Sequence, residues 1–469
     1  MDSQETTSLT SKPVEIQYHK GTLSVSKSDV INLETSLPFL SWDHRTRSYR
    51  CHADKYRELI RFLYKNKIRY SDFAPKYNKL SILLKTEFTP FTYQSEALNS
   101  WNHSKKGIAV LPTGAGKSYL AALAIQEVQR STLVMAPTID LILQWQKNLE
   151  EWFACDIGLL GGGSNELKDV TVSTYDSARI QAETIGNRFC MIIFDECHHL
   201  PSPAYSQMTR AYIAPYKLGL TATPSVESDR QQLLKDVLGP VTYSKQIHQL
   251  SGDFLAPYEV NTIEVDLTGE ERRSYDYHRG VYQAFRDKVP NLFGNRYSWE
   301  RFVMHAYRSA EGRNAIRSFN TQKQISLSAT GKMEKLAEIL VRHNESRILI
   351  FTNDNKTAYY ISSLFLLPLI THETKAKERK LILENFRQGK WPFLVNSRVL
   401  NEGVDVPEAN VAVIISGTAT VREHVQRLGR ILRKKDNKTA VLYEIITANT
   451  GEVYTSKKRR FHSAYERFS

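Results

Sequence analysis

The segment Pro112-Thr113-Gly114-Ala115-Gly116-Lys117-Ser118 has the residue types of a phosphate cradle. An apolar run, Gly107-Ile108-Ala109-Val110-Leu111, precedes it and reads as a buried strand; Tyr119-Leu120-Ala121-Ala122-Leu123-Ala124-Ile125 follows and reads as a helix. The turn therefore opens a helix N-terminus, which is an anion site. Gly114 and Gly116, with Thr113 and Ala115 beside them, let backbone N–H groups curl around phosphates. Lys117 reaches the β- and γ-phosphates and the Ser118 hydroxyl can ligate Mg²⁺. Leu111 stands where the strict pattern has Gly, so the loop is of the relaxed form, and a tight turn with a solvated Lys is the alternative.

Two further segments point to hydrolysis. Met191-Ile192-Ile193-Phe194 is a second apolar strand that delivers Asp195 and Glu196 to the carboxyl end of the same sheet, where open α/β sheets bind ligands. Asp195 can hold the metal through water and Glu196 can polarise the attacking water. His198 and His199 raise the thought of a zinc site, but no further ligands stand at suitable spacing. Far downstream, Gln426-Arg427-Leu428-Gly429-Arg430-Ile431-Leu432-Arg433 follows the strand Val411-Ala412-Val413-Ile414-Ile415. Arg430 and Arg433 read as arginine fingers, Gln426 as a phosphate neighbour and Arg427 as a brace. Such fingers raise turnover on the order of 10³–10⁵, so hydrolysis is expected to be slow until ATP is closed in the cleft between two domains. A basic, solvated helix is the competing reading of this segment.

Positioning these groups takes an α/β fold of several domains. A chain of 469 residues exceeds what one hydrophobic core serves, and its 41% hydrophobic content fits a globular protein. Residues 1 to 13 are polar and expected to be disordered. Residues 14 to 88 suggest a small α+β domain: Val14-Glu15-Ile16-Gln17-Tyr18 and Thr22-Leu23-Ser24-Val25 alternate as a hairpin turning at Gly21, and a helix near 54 to 66 carries Tyr56, Leu59, Ile60 and Leu63 on one face. Residues 89 to 240 alternate strands and helices as a parallel sheet does, and the rhythm resumes from 331 toward 455. Between them, at about 266 to 320, Tyr275, His278, Tyr282, Phe285 and Val289 recur at helical spacing, interleaved with arginines, and a second helix begins near Ser298. These aromatics are either the core of a helical hairpin or a grip on nucleic acid. Residues 456 to 469 form a basic tail.

Charge and composition narrow the partner. Lys and Arg number 63 against 50 Asp and Glu, a net charge of +13, which favours an anionic polymer. Residues 41 to 85 alone hold twelve Lys or Arg against four acids. No apolar stretch approaches the ~20 residues that cross a bilayer, and the polar start is not a signal peptide, so no membrane partner is expected. Cys51, Cys155, Cys190 and Cys197 show no paired spacing, which implies a reducing compartment.

With these residues in view, the chain resembles superfamily 2 helicases, and most closely the archaeal members of the xeroderma pigmentosum group B (XPB) repair helicase family. The resemblance runs from about 14 to 455 and is dense in Ala136-Pro137-Thr138, Gln144-Trp145, Thr171-Val172-Ser173-Thr174-Tyr175-Asp176-Ser177, Gly219-Leu220-Thr221-Ala222-Thr223 and Asn401-Glu402-Gly403-Val404-Asp405-Val406-Pro407. It implies two RecA-like parallel-sheet domains, a thumb-like helical insertion in the second and an N-terminal domain similar to damage-recognition modules. It also implies a 3′-to-5′ DNA motor using ATP and Mg²⁺ in nucleotide excision repair or DNA opening, cytoplasmic and at the nucleoid. By position, Gln94 would read adenine, and Gly403 and Asp405 would face nucleotide. Pro137, Thr138, Thr174, Thr352 and Ser397 would line the strand, and Thr221 and Thr223 would couple ATP state to DNA grip. A structure-specific endonuclease is the implied protein partner. Two departures stand out: Phe91-Thr92 replaces the usual Arg before the Tyr-Gln pair, and Val226-Glu227-Ser228 replaces the Arg-Glu-Asp motif associated with strand separation. An ATP-gated scaffold or duplex translocase that loads a nuclease, and an RNA remodeller, are the competing functions.

Overall fold

Alternation in the N-terminal segment builds a small sheet with one dry face. In β1 (Val14–His19), Val14 and Ile16 are buried and Glu15 and Gln17 exposed, and a hairpin at Lys20 and Gly21 returns the chain as β2 (Thr22–Val25). With β3 (Ser41–Asp43), β4 (Ser48–His52) and β5 (Tyr70–Asp72) the order is β3-β4-β2-β1-β5. Helix Tyr56–Lys65 packs on it through Tyr56, Leu59 and Leu63, spaced for a single face. The computed structural model describes residues 12–28, 30–85, 89–222, 228–250, 254, 258–289, 298–397, 409–416 and 440–460.

Continuous apolar runs then make a parallel sheet covered on both faces. Its strands are β6 (Lys106–Val110), β7 (Thr132–Ala136), β8 (Gly158–Gly161), β9 (Ser164–Glu166), β10 (Val170–Thr174), β11 (Met191–Phe194), β12 (Tyr216–Thr221) and β13 (Val241–Ser244). The order is β13-β6-β12-β11-β7-β10-β8-β9, and β9 is antiparallel to β8. Because β13 pairs in parallel with β6, residues 241–244 belong to this sheet, and the chain divides after Lys245 rather than at the expected 240. Val241 to Ser244 is short and none of its residues is buried, so the segment carries no pattern that says which sheet takes it.

The N-terminal sheet is built onto this first unit. The Tyr18 hydroxyl lies 3.0 Å from the carbonyl oxygens of both Ala182 and Ala211, and Arg57 donates to the Pro215 carbonyl at 3.1 Å. Asn187 donates to the Ala74 carbonyl at 2.8 Å, and Ile213 completes the N-terminal core. Gly186 permits this approach: a Cβ there would be driven into the Ala211 carbonyl and the Tyr18 hydroxyl.

The second unit is a six-stranded parallel sheet of β14 (Tyr258–Val265), β15 (Ile348–Thr352), β16 (Leu369–Ile370), β17 (Phe393–Ser397), β18 (Val411–Ile414) and β19 (Ala440–Thr447), ordered β14-β19-β18-β15-β17-β16. Between β14 and β15 lie helix Thr330–Arg342 and, before it, the three helices of the insertion, Gly269–Asp287, Ser298–Ala306 and Ala310–Leu327. Phe285, Phe302, Ala306, Ala315 and Ile316 form the common core of these three, Tyr275 is buried and Tyr282 is partly buried. Several of the aromatics at helical spacing are therefore core, while Arg279, Arg301, Arg308, Arg313 and Arg317 are exposed. The helix Gly451–Arg460 closes the unit and runs through the expected start of a basic tail at 456, because Ser456 is buried and donates to Glu444 at 2.9 Å. Among the described residues no helix is long and apolar enough to cross a membrane.

Candidate functional site

The turn after β6 is shaped by two glycines in the left-handed region, Gly114 at φ 87° and Gly116 at φ 68°, and Gly116 caps the helix Lys117–Val128. A side chain at Gly116 would also stand 2.5 Å from Gln94 Nε2. The loop is held from beneath by the helix Thr92–Asn102: the Tyr93 hydroxyl donates to the Ala115 carbonyl at 2.9 Å, and Gln94 Nε2 lies 3.3 Å from the carbonyls of Ala115 and Gly116. Gln94 Oε1 accepts from the Phe91 N–H, and the residue is 3% exposed. In this conformation the amide of Gln94 braces the loop rather than standing open to a base. Lys117 Nζ donates to the carbonyls of Leu111 and Pro112, both at 3.3 Å, and the Thr113 hydroxyl is buried with no hydrogen-bond partner among the described residues.

At the same edge, β11 ends in the two acids. Asp195 Oδ2 accepts from Trp145 Nε1 at 2.8 Å and Oδ1 accepts from the Glu196 N–H at 3.0 Å. Burial, reinforced by the neighbouring Glu196 carboxylate, pushes the Asp195 carboxyl up to about 6, against the pull of the Trp145 N–H and the Lys117 charge. Glu196 sits at φ 48°, a left-handed backbone rare outside glycine. His198 Nδ1 lies 3.3 Å from Glu196 Oε2 and 3.1 Å from Thr221 Oγ1, so one imidazole joins the acid to the end of β12.

Pro137, Thr138 and Thr174 come together beside this edge, since β7 and β10 are neighbours with Ala136 opposite Thr174. Thr138 caps helix Ile139–Phe153 and Thr174 caps helix Tyr175–Ile185, each accepting from an N–H in the first turn. In the second unit, Thr352 and Ser397 are paired in register, but both side chains are buried. The Thr352 hydroxyl lies 3.1 Å from the Asp354 carbonyl and that of Ser397 donates to Asn355 at 2.7 Å, so a strand at this edge would meet backbone rather than these hydroxyls. Gly403, Asp405, Gln426, Arg427, Arg430, Arg433, Thr223 and the Val226-Glu227 pair lie outside the described residues.

Sequence reading left Tyr93, Trp145 and the bridging role of His198 without assignments here. Tyr93 and Trp145 show only as buried aromatics on helices, and a motif histidine beside acids reads equally as a metal ligand.

Comparison with known proteins places these features in a family. Residues 16–74 match the model of the xeroderma pigmentosum group B helicase damage recognition domain. Residues 87–226 match the model for the type III restriction enzyme res subunit, and 331–435 the helicase conserved C-terminal domain. The chain is 38% identical to the DNA 3′-5′ translocase XPB2 of Sulfurisphaera tokodaii, over 95% of this chain and 100% of that protein. It is 29% identical to the DNA 3′-5′ helicase XPB of Mycobacterium tuberculosis, covering 79% of this chain and 63% of the relative. With the Saccharomyces cerevisiae general transcription and DNA repair factor IIH helicase/translocase subunit XPB/SSL2 it shares 26% identity, over 88% of this chain and 47% of that one. The chain thus spans roughly half to two thirds of those longer relatives and the whole of the archaeal one. The helicase domain of Pyrococcus furiosus Hef has the same fold, with a TM-score of 0.52 at 20% identity over 81% of this chain and 100% of that chain.

Proposed function

We propose that this chain, which belongs to the XPB family of superfamily 2 helicases and translocases, is an ATP-dependent motor that travels 3′ to 5′ on DNA. The observation that carries this reading is the meeting of Lys117, Asp195 and Glu196 at one edge of a parallel sheet, with His198 joining the acid pair to Thr221. Gly114 to Ser118 would hold the phosphates of ATP, and the orphaned Thr113 hydroxyl would find its acceptor there. Ser118 and Asp195 fit Mg²⁺, being hard oxygen donors, and each Asp195 oxygen accepts one hydrogen bond and keeps a lone pair. When bound, that ion supplies neutralisation of the phosphate oxygens. Glu196 orients the attacking water and takes its proton, and Gln426, Arg430 and Arg433 answer the charge that develops on the γ-phosphate. Gly403 and Asp405 complete the nucleotide contacts. Gln94 reports nucleotide by exchanging its bonds to Ala115 and Gly116 for the adenine.

Along the other half of the edge, the helices capped by Thr138 and Thr174 direct N-terminal amides outward, beside Pro137. These suit the phosphates of a DNA strand, which position a motor without reading sequence. Thr352 and Ser397 shape the corresponding edge of the second unit. His198 and Thr221 give the ATP site a short mechanical link to the end of β12.

The test is ATP hydrolysis with and without DNA, with strand separation of a 3′-tailed fork followed in the same reaction. Hydrolysis stimulated by DNA and abolished by Lys117→Ala or Glu196→Gln is expected; stimulation by RNA alone, or turnover that survives both changes, overturns the reading. The chain works at the nucleoid in the cytoplasm, in excision repair or DNA opening, with a structure-specific endonuclease as partner. That assignment fails if incision of a DNA bubble by such a nuclease is the same with wild-type protein and with Lys117→Ala.

A further inference from the structure

The helical insertion of the second unit forms an open cavity of about 670 Å³ with helix Gly451–Arg460, large enough for one nucleotide. Its walls are chemically mixed. Tyr282 and Phe319, with ring centroids 4.9 Å apart, supply aromatic surface. Arg279 and Lys323 line it and are exposed, whereas the acid in the wall, Glu452, is already committed to the buried Lys332 at 2.6 Å. The cavity therefore carries net positive charge. Gln322, only 8% exposed, and the half-buried Gln283 both line the cavity with their amides. Amides that line a half-open cavity can donate to and accept from a ligand seated in it. Asn353, directly after Thr352 at the carboxyl end of β15, also lines the cavity, which ties it to the sheet edge where Ser397 lies opposite Thr352.

Aromatic surface, cations and amides together describe a nucleotide. No glycine loop or free carboxylate pair is present among the lining residues to hold a metal-bound polyphosphate. Amides both donate and accept, so they can meet the edge of any base, as sequence-tolerant strand binding requires. A base in a duplex cannot reach such a cavity while it stays stacked and paired.

We propose that this cavity receives one unpaired nucleotide of the DNA strand, its base against Tyr282 and Phe319, its edge on Gln322 and Gln283, and its phosphate on Arg279 and Lys323. The inference rests on the DNA-motor reading above and adds a strand contact away from the ATP site. It is tested with the full chain and single-stranded DNA carrying 5-iododeoxyuridine, cross-linked by light and mapped by mass spectrometry, with free thymidine monophosphate as competitor. Cross-links at Tyr282, Phe319 or the exposed Tyr454 at the wall are expected. The double variant Lys323→Ala, Tyr454→Ala should bind single strands about tenfold more weakly, with hydrolysis stimulated by duplex DNA unchanged. Removing the Lys323 contact should also flatten the logarithmic salt slope of strand binding by about 0.7. Strand binding with cross-links only elsewhere, or an unaltered affinity in the double variant, overturns the cavity assignment and leaves the motor standing. Loss of the cross-links to free monophosphate at concentrations that leave strand binding intact assigns the cavity to a free nucleotide and also overturns it. Absence of any DNA binding or DNA-stimulated hydrolysis sinks the motor reading and this inference together.

Discussion

Lys217 offers a stability test that leaves the chemistry untouched. It sits near the start of β12, 5% exposed, where its backbone carbonyl accepts from Trp101. Burial pulls its ammonium down from the usual 10.5 to about 8, with partial relief from Asp54 and Glu58 and opposition from Lys106 and Lys55. That drop corresponds to about 3 kcal/mol against the charged form in the folded chain. The sign is that of a base depressed by folding. Stability is unaffected above the unfolded value, where Lys217 is neutral in both states; it is lost progressively as pH falls from 10.5 to about 8, and below about 8 the full penalty is present. Lys217→Met keeps the length of the side chain and removes the charge. It should stabilise the first unit by about 3 kcal/mol at pH 7, a rise in Tm of roughly 6–12 °C, and by only about half as much at pH 9.5. Differential scanning calorimetry at the two pH values measures both numbers. A Tm that falls at pH 7, or a gain that does not shrink with rising pH, refutes the desolvation reasoning. ATP turnover should be unchanged throughout.

Other changes probe the site and the docking of the N-terminal sheet. Gly186→Ala drives a methyl group into the Ala211 carbonyl and the Tyr18 hydroxyl, and should cost about 2–4 kcal/mol, seen as a lower Tm and faster proteolytic cleavage near residue 75; an unchanged Tm contradicts it. If Asp195 holds the cation as proposed, its carboxyl, raised to about 6 in the metal-free site by burial and the Glu196 carboxylate, must lose its proton on binding, so the apparent affinity for Mg²⁺ should weaken as pH falls below that value. An apparent Mg²⁺ affinity that is the same at pH 5 and pH 8 would show that this acid does not hold the ion. Thr221→Val removes the hydroxyl that meets His198, and should leave basal ATP turnover within a few-fold of wild type while lowering its stimulation by DNA; equal stimulation in both proteins rules out the link.

Features that depend on a few neighbouring residues were legible in the chain. The strand–turn–helix at residues 106–128 could be read because Gly114 and Gly116 occupy backbone conformations that few other residues tolerate, and because apolar runs flank them. Asp195 and Glu196 could be placed at a sheet edge because a strand of four buried residues ends directly before them. The N-terminal hairpin and the helix Tyr56–Lys65 follow from alternation and from helical spacing. Only the tertiary structure decided that Gln94 is spent on the loop and that Thr352 and Ser397 turn their hydroxyls inward. It also gave β13 to the first sheet and let Tyr18 reach Ala182 and Ala211 across more than 160 positions of sequence. Periodicity reports which face of an element is dry, but not which distant element dries it. That choice is made by packing and by the pairing of buried polar groups, where a glutamine or threonine takes whichever partner the closed core brings within hydrogen-bond reach.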